Sequence, residues 1–282
     1  AVYSWKFFSE DFDTGANLNP GDAEDTDFDE FNYISFVYPF QRTLAGRNFV
    51  VSLNYQQKFD FDRRLTFRYR IPQVLFGTLF SQKLGNIEFH QDGSLGSFSP
   101  AFGFEITDRI SLGVVMNIWD QDLIPINEWT KTTRTDDTWL FGNSMRLTRT
   151  IQNERYENVK GINYTLGFLW KPTERFSIGG VYHTAFAADV DYTQRFTVMG
   201  FPPAAAVIKQ RRRIEFPNAY GLGLAYRFPN DKLTIALDVT RREWDKFVEI
   251  EKGPSPIFQE RRFSPITGLP KWRSHHDPTY TV

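Results

Sequence analysis

The chain has 282 residues, 17% of them aromatic with 28 Phe and 12 Tyr, no Cys, and a formal net charge of −1. The absence of Cys excludes a disulfide framework and a thiolate metal site, and the balanced charge argues against a general nucleic-acid binder. No window holds the roughly 18 consecutive apolar residues of a membrane helix, so any crossing of a bilayer has to be made by closed strands.

High aromatic content and a mean hydropathy of −0.43 are compatible only if large apolar residues alternate with polar ones. Residues 1–30 are an acidic segment, with Asp22, Glu24, Asp25, Asp27, Asp29 and Glu30 clustered after Pro20. Asp25-Thr-Asp27-Phe-Asp29 lacks the Gly and the spaced bidentate Glu of a calcium loop, so a solvated loop is expected there. The barrel is expected over 31–282. A first hairpin runs from Asn32 to Phe40 and from Phe49 to Tyr55, and a second from Ser97 to Ile106 and from Ile110 to Trp119. In the third, Ile162, Tyr164, Leu166, Phe168 and Trp170 alternate with Asn163, Thr165 and Gly167, and after a Lys171–Arg175 turn the pattern resumes from Phe176. The fourth sets Tyr220, Leu222, Leu224 and Tyr226 against Gly221, Gly223 and Ala225, then Leu233, Ile235, Leu237 and Val239 against Thr234, Ala236, Asp238 and Thr240. Further arms are expected at Leu65–Leu75 and from Thr279 onward.

A period of two is strand. A large apolar face opposite a small or polar one fits lipid outside and a crowded polar lumen inside, the inverse of a soluble sandwich. Turns inside each hairpin are short and the connections between hairpins are long, which is the asymmetry of outer-membrane barrels with long extracellular loops. The expected fold is therefore all-β, an antiparallel transmembrane β-barrel in the Gram-negative outer membrane. Tyr38, Trp119, Trp170, Phe176, Phe186, Phe228 and Trp244 near strand ends suit interfacial girdles.

Alternation puts Glu105, Asn117, His183, Arg227, Asp238 and Arg242 on the lumen side, as the lining of a route or as a charge network filling the barrel. The long connections hold Trp129, Trp139, Leu140, Phe141, Met199, Phe201 and Ile208, apolar density that either packs the loops together or forms a groove binding a hydrophobic ligand. Lys209, Arg211, Arg212 and Arg213 are either placed to meet anionic lipid or lipopolysaccharide or are a plain solvated basic run. The adjacent pair His275-His276 points to opposite sides of an extended chain and is read as solvated loop. No catalytic motif, metal site or cofactor site is present in the text of the chain, and no enzyme activity is expected.

Four stretches in order resemble one family. Gly113 to Trp119, then Leu166-Gly-Phe-Leu-Trp-Lys-Pro-Thr-Glu-Arg-Phe-Ser-Ile-Gly-Gly-Val-Tyr182, then the Pro-led glycine strand Ile214 to Phe228, then Leu233 to Phe247 with Trp244 near its end, look like the long-chain fatty acid outer-membrane transporters of FadL/TodX type. The resemblance covers roughly Ser94 to Lys246. It implies a barrel of 14 strands plugged by an N-terminal hatch and passive uptake of hydrophobic small molecules such as long-chain fatty acids or aromatic hydrocarbons. The other reading is a barrel that conducts nothing and holds a protein partner at its loops or turns. The first thirty residues lack the small-residue text of a hatch and the last dozen lack a closing aromatic, so a partial chain is expected.

Overall fold

The computed structural model describes residues 19–20, 33–40, 46–75, 78–141, 144–200, 202–251, 260–265, 270–273 and 277–281. His275, His276 and Phe201, and the acidic run 21–32, lie outside the described residues. Among the described residues sixteen strands form a single sheet. They are β1 (Asn19–Pro20), β2 (Tyr33–Pro39), β3 (Phe49–Asp60), β4 (Arg63–Leu75), β5 (Thr78–Thr107), β6 (Ile110–Asp120), β7 (Glu128–Phe141) and β8 (Ser144–Trp170). The remainder are β9 (Phe176–His183), β10 (Phe186–Met199), β11 (Ala204–Phe216), β12 (Ala219–Arg227), β13 (Thr234–Arg242), β14 (Val248–Glu251), β15 (Arg261–Phe263) and β16 (Thr279–Thr281).

The register reveals a simpler plan. β3 and β4 pair with successive parts of β5 from the same side, Asp60 opposite Ser94 and Arg63 opposite Gln91. They are therefore two lengths of one stave. The same holds for β6 with β7 and for β9 with β10 along β8, for β11 with β12, and for β13 with β14. β1 and β2 continue one another beside β4 and β3, and β15 and β16 beside β14 and β13. Among the described residues nine staves thus follow one another as an antiparallel up-and-down meander, every one hydrogen-bonded to its neighbours in sequence. All eight strands expected from the four hairpins are present. The long connections between hairpins are present too, built as the outward ends of the same strands rather than as irregular coil. Leu65–Leu75 is one of these extensions and not a separate crossing.

The faces sort as lipid and lumen require. Ile162, Tyr164, Leu166, Phe168, Leu222, Leu224, Ile235 and Leu237 are exposed on the outer side of the lower half, while Ser97, Ser99, Asn117 and Asn163 are buried on the inner side. Trp170 and Phe228 stand exposed near the short turns, as girdle residues do. Trp119 and Phe186 do not: both are buried, because they share the inward parity of Asn117 and of Ala188.

The staves are irregular at one level, just above the hydrocarbon. Stave two breaks at Phe61–Asp62, stave four at 121–127, stave six at Thr184–Ala185, stave seven at Pro217–Asn218 and stave eight at 243–247. The two uninterrupted strands bend there instead. Gly93 of β5 has φ +122° and lies so close to β7 that a Cβ would sit 2.3 Å from the Glu128 carbonyl oxygen, which only glycine permits. Asn158 of β8 has φ 55°, beside a register shift between Asp189 and Asp191. Three residues below Phe61, β3 carries a bulge between Gln57 and Phe59 that leaves Lys58 as the extra residue.

Side chains substitute for the missing ladder. Buried Asn127 accepts from Gly96 N–H (2.7 Å) and donates to Gly96 C=O (2.9 Å) where β5 has left β7 and not yet reached β6. At the break in stave two, Asp62 accepts from Gly93 N–H (3.0 Å) and Phe61 N–H donates to Gly93 C=O (3.0 Å).

Two predictions follow from this wall. Leu222→Arg places a charge on the lipid face near the middle of β12 and should destabilise the folded barrel by about 2–4 kcal/mol, read as a shifted urea midpoint in bilayers. The second concerns Asp62, which lies outside the hydrocarbon. Burial, a hydrogen bond with Asp92 and the charges of Asp92 and Asp60 push its carboxyl up to about 7. The folded state holds this proton more tightly than the unfolded chain, whose carboxyl has the ordinary value of 3.8, so stability here falls as pH rises from about 4 through 7. The protection factor of the Gly93 amide, taken relative to the base-catalysed intrinsic rate at each pH, should be higher at pH 5 than at pH 8, and Asp62→Asn should remove most of that difference.

Candidate functional site

Because five breaks and two bulges coincide, the inward side chains at that level come from six staves and meet across the lumen. Rings fill it. Trp119 stacks on Phe186 with centroids 5.0 Å apart, Phe186 on Phe216 at 4.5 Å, and Phe59 contacts Phe216 at 5.1 Å and Trp119 at 5.6 Å. Phe247 adds a ring 5.2 Å from Phe216, with Trp244 5.6 Å behind it. Phe59 belongs to stave two and Phe216 to stave seven, so the sheet curls until residues five staves apart touch. Lys131 of stave four likewise donates to the Pro265 carbonyl (3.1 Å) across the opening.

The column continues outward. Phe61 lies 6.3 Å from Phe59 and 4.9 Å from Trp129, Trp129 stacks on Tyr156 at 4.5 Å, and Tyr156 meets Tyr192 at 5.0 Å. A buried ionic layer lies alongside this upper end. Arg212 stacks on Tyr192 (3.4 Å to the ring centroid) and donates to Glu249, which is also approached by Tyr156 Oη at 3.4 Å. Burial, with the negative charge of Glu249 and Glu154, holds the Tyr156 hydroxyl well above its usual range, so it is a donor at all physiological pH.

Below the rings is a polar belt. Lys58 Nζ and Ser99 Oγ both donate to Asn117 Oδ1 (2.6 and 2.9 Å), Asn117 Nδ2 donates to Thr165 Oγ1 (3.1 Å), and Thr165 Oγ1 lies 2.8 Å from His183 Nδ1. Trp119 Nε1 ties rings to belt by donating to Asn163 Oδ1 (2.8 Å). Two cations stand at this junction. Lys58 lies 5.5 Å from the Trp119 ring, and the Arg242 guanidinium 5.4 Å from Phe59 and 5.3 Å from Trp244. Among the described residues neither makes an ion pair with a carboxylate, although both are largely shielded from water. A buried cation without an anion is costly, so an incoming carboxylate would be stabilised here.

The candidates from the sequence divide between two places. Trp129 is buried in the ring column, and Asn117, His183 and Arg242 are in or beside the belt. Trp139 lies ten residues further along β7, about 33 Å at 3.3 Å per residue, with Lys83 Nζ 5.0 Å from its ring. Leu140 and Phe141 complete that strand, and Met199 and Ile208 are exposed near the distal ends of β10 and β11. Glu105 stays near the short turns and accepts from Asn48 Nδ2 (2.7 Å), Arg227 ends β12, and Asp238 lies on β13 opposite Gly223. Of the basic run, Arg211 points outward to Asp191 (3.4 Å) and Arg212 inward to Glu249. Alternation alone missed Phe59, Phe216, Phe247 and Lys58. The signal available for Phe59 and Lys58 was one residue too many between Tyr55 and Asp60, and for Phe216 the Pro217 that ends its strand.

Among the described residues no cluster of His, Asp or Glu has metal-site geometry. A family model described as outer membrane protein transport protein (OMPP1/FadL/TodX) matches residues 91–274. No curated protein and no solved structure matches the chain. The match spans well over half the chain and takes in staves three to eight, whose lipid-facing lower halves and ring-filled lumen are what an outer-membrane carrier of apolar cargo requires. This barrel therefore stands in the Gram-negative outer membrane, and the chain belongs to the OMPP1/FadL/TodX family of outer-membrane transport proteins.

Proposed function

We propose that the chain takes up hydrophobic small molecules passively, with preference for those that end in a carboxylate. The observation that carries this reading is the ring column with Lys58 and Arg242 at its lower end. Each Å² of apolar surface moved from water onto the rings is worth about 25 cal/mol, so a chain or an aromatic body is drawn into the column. Its carboxylate then reaches two cations that have no other anion among the described residues. A long-chain fatty acid satisfies rings and cations together; a neutral aromatic hydrocarbon satisfies the rings alone. The concentration gradient drives the flux and no nucleotide is involved.

First capture belongs to the distal rim, where Trp139, Leu140, Met199 and Ile208 supply apolar surface far above the membrane. Glu105, Arg227 and Asp238 line the lower lumen toward the short turns. Lipid and lipopolysaccharide surround the outer face.

Liposome uptake tests this. The folded protein should take up both oleate and toluene, and failure with both would sink transport in favour of a structural barrel. In the double variant Lys58→Met/Arg242→Met the ratio of oleate to toluene uptake should fall roughly tenfold, the loss of one charge-assisted contact of about 1.5 kcal/mol. An unchanged ratio removes the carboxylate preference.

A further inference from the structure

A cation shielded from water is ordinarily held by a carboxylate. Lys58 is held by an amide instead, its Nζ donating to Asn117 Oδ1 (2.6 Å). An ammonium can only donate, so this contact fixes which end of the Asn117 amide faces it. The oxygen points to Lys58 and to Ser99 Oγ (2.9 Å), and the nitrogen points away, donating to Thr165 Oγ1 (3.1 Å). Thr165 keeps its own hydroxyl hydrogen for His183 Nδ1 (2.8 Å). Asn117 is fully buried, with both ends of its amide engaged and no route to solvent.

The belt built on Asn117 contains no acid. Ser97 Oγ lies 2.9 Å from Ser99 Oγ, Trp119 donates to Asn163, and Asn163 donates to the Thr184 carbonyl (3.1 Å), so each of these links joins neutral polar groups. Charge enters at one point, Lys58, and nothing in the belt cancels it. Lys58 Nζ also stands over the Trp119 ring, 5.5 Å from its centroid. Of its three N–H groups, one is therefore given to Asn117 and one is turned to the ring among the described residues, which leaves one for a ligand at the foot of the column.

We infer that Asn117 is the positioning residue for carboxylate recognition: it fixes the Lys58 ammonium beneath the rings while leaving its charge uncompensated. An Asp there would keep the outline and the acceptor but cancel the charge. A Leu would leave the charge and release the ammonium. The role rests on the carboxylate preference proposed above, and a mutant cycle separates the two.

Oleate and toluene uptake into liposomes is compared for the unaltered protein, Asn117→Leu, Lys58→Met and the double variant. Toluene needs no cation, so its uptake reports an intact barrel in each. Asn117→Leu should lower the ratio of oleate to toluene uptake at least about threefold when Lys58 is present, and should leave it unchanged in the Lys58→Met background. Equal falls in both backgrounds, or no fall in either, would overturn the positioning role while the carboxylate preference stands. A Lys58→Met protein with the unaltered ratio would overturn that preference, and the role of Asn117 with it. Should Asn117→Leu fail to assemble, shown by loss of toluene uptake, the nearly isosteric Asn117→Asp carries the test. It should keep toluene uptake and lower the ratio roughly tenfold, by pairing with Lys58; an unchanged ratio would overturn the inference.

Discussion

The structure depends on one constraint, that a backbone crossing hydrocarbon must pair all its N–H and C=O groups within the protein. In the lower half of the wall this is met by ladders between sequence neighbours, from β2 beside β3 to β12 beside β13. Above the hydrocarbon water relaxes the requirement, and it is there that the staves break. Where a break is buried, the constraint returns and a side chain answers it: Asn127 replaces a strand partner for Gly96, and Asp62 for Gly93. The level of the breaks is thus set by where the membrane ends.

The breaks also create the site. A regular strand sends alternate residues inward, each separated from the next by a residue that faces lipid, and the inward Gly113, Gly167, Gly179 and Gly221 keep the lower lumen open. A bulge or a break admits residues out of that alternation. Lys58 enters the lumen as the extra residue of a bulge, directly below Phe59, and Phe247 enters from a turn rather than a strand. Crowding of large rings at one level follows from the irregular backbone, and the cross-lumen contact of Phe59 with Phe216 gives the curled sheet a core of its own.

This explains what was legible in the sequence. The lipid-facing strands were, because lipid imposes a strict period of two on residues such as Leu222, Leu224, Ile235 and Leu237. The outward extensions were not: their outer faces meet water and carry pairs such as Arg134 with Asp136 and Arg155 with Glu128, so mixed polarity on both faces resembles a loop. Position near a strand end suggests a girdle for Trp119 and Phe186, but the period of two decides the side: Trp119 shares the inward parity of Asn117 and Phe186 that of Ala188. Asn117 and His183 fell on the inward parity and Trp129 among the apolar residues above; their association through Lys58, Trp119 and the rings required three-dimensional register.

The buried pair of Glu249 with Arg212 bears on why charge is kept beside an apolar column. Replacing a buried ion pair by apolar side chains of similar size commonly leaves a protein as stable or more so, because the charges lose their water on burial. The pair therefore contributes geometry more than stability. Arg212 stacks on Tyr192 while it donates to Glu249, and Tyr156 approaches the same carboxylate, so one directional contact sets the orientation of two rings of the column. An apolar join of the same volume would fill the space and leave those rings without a fixed direction.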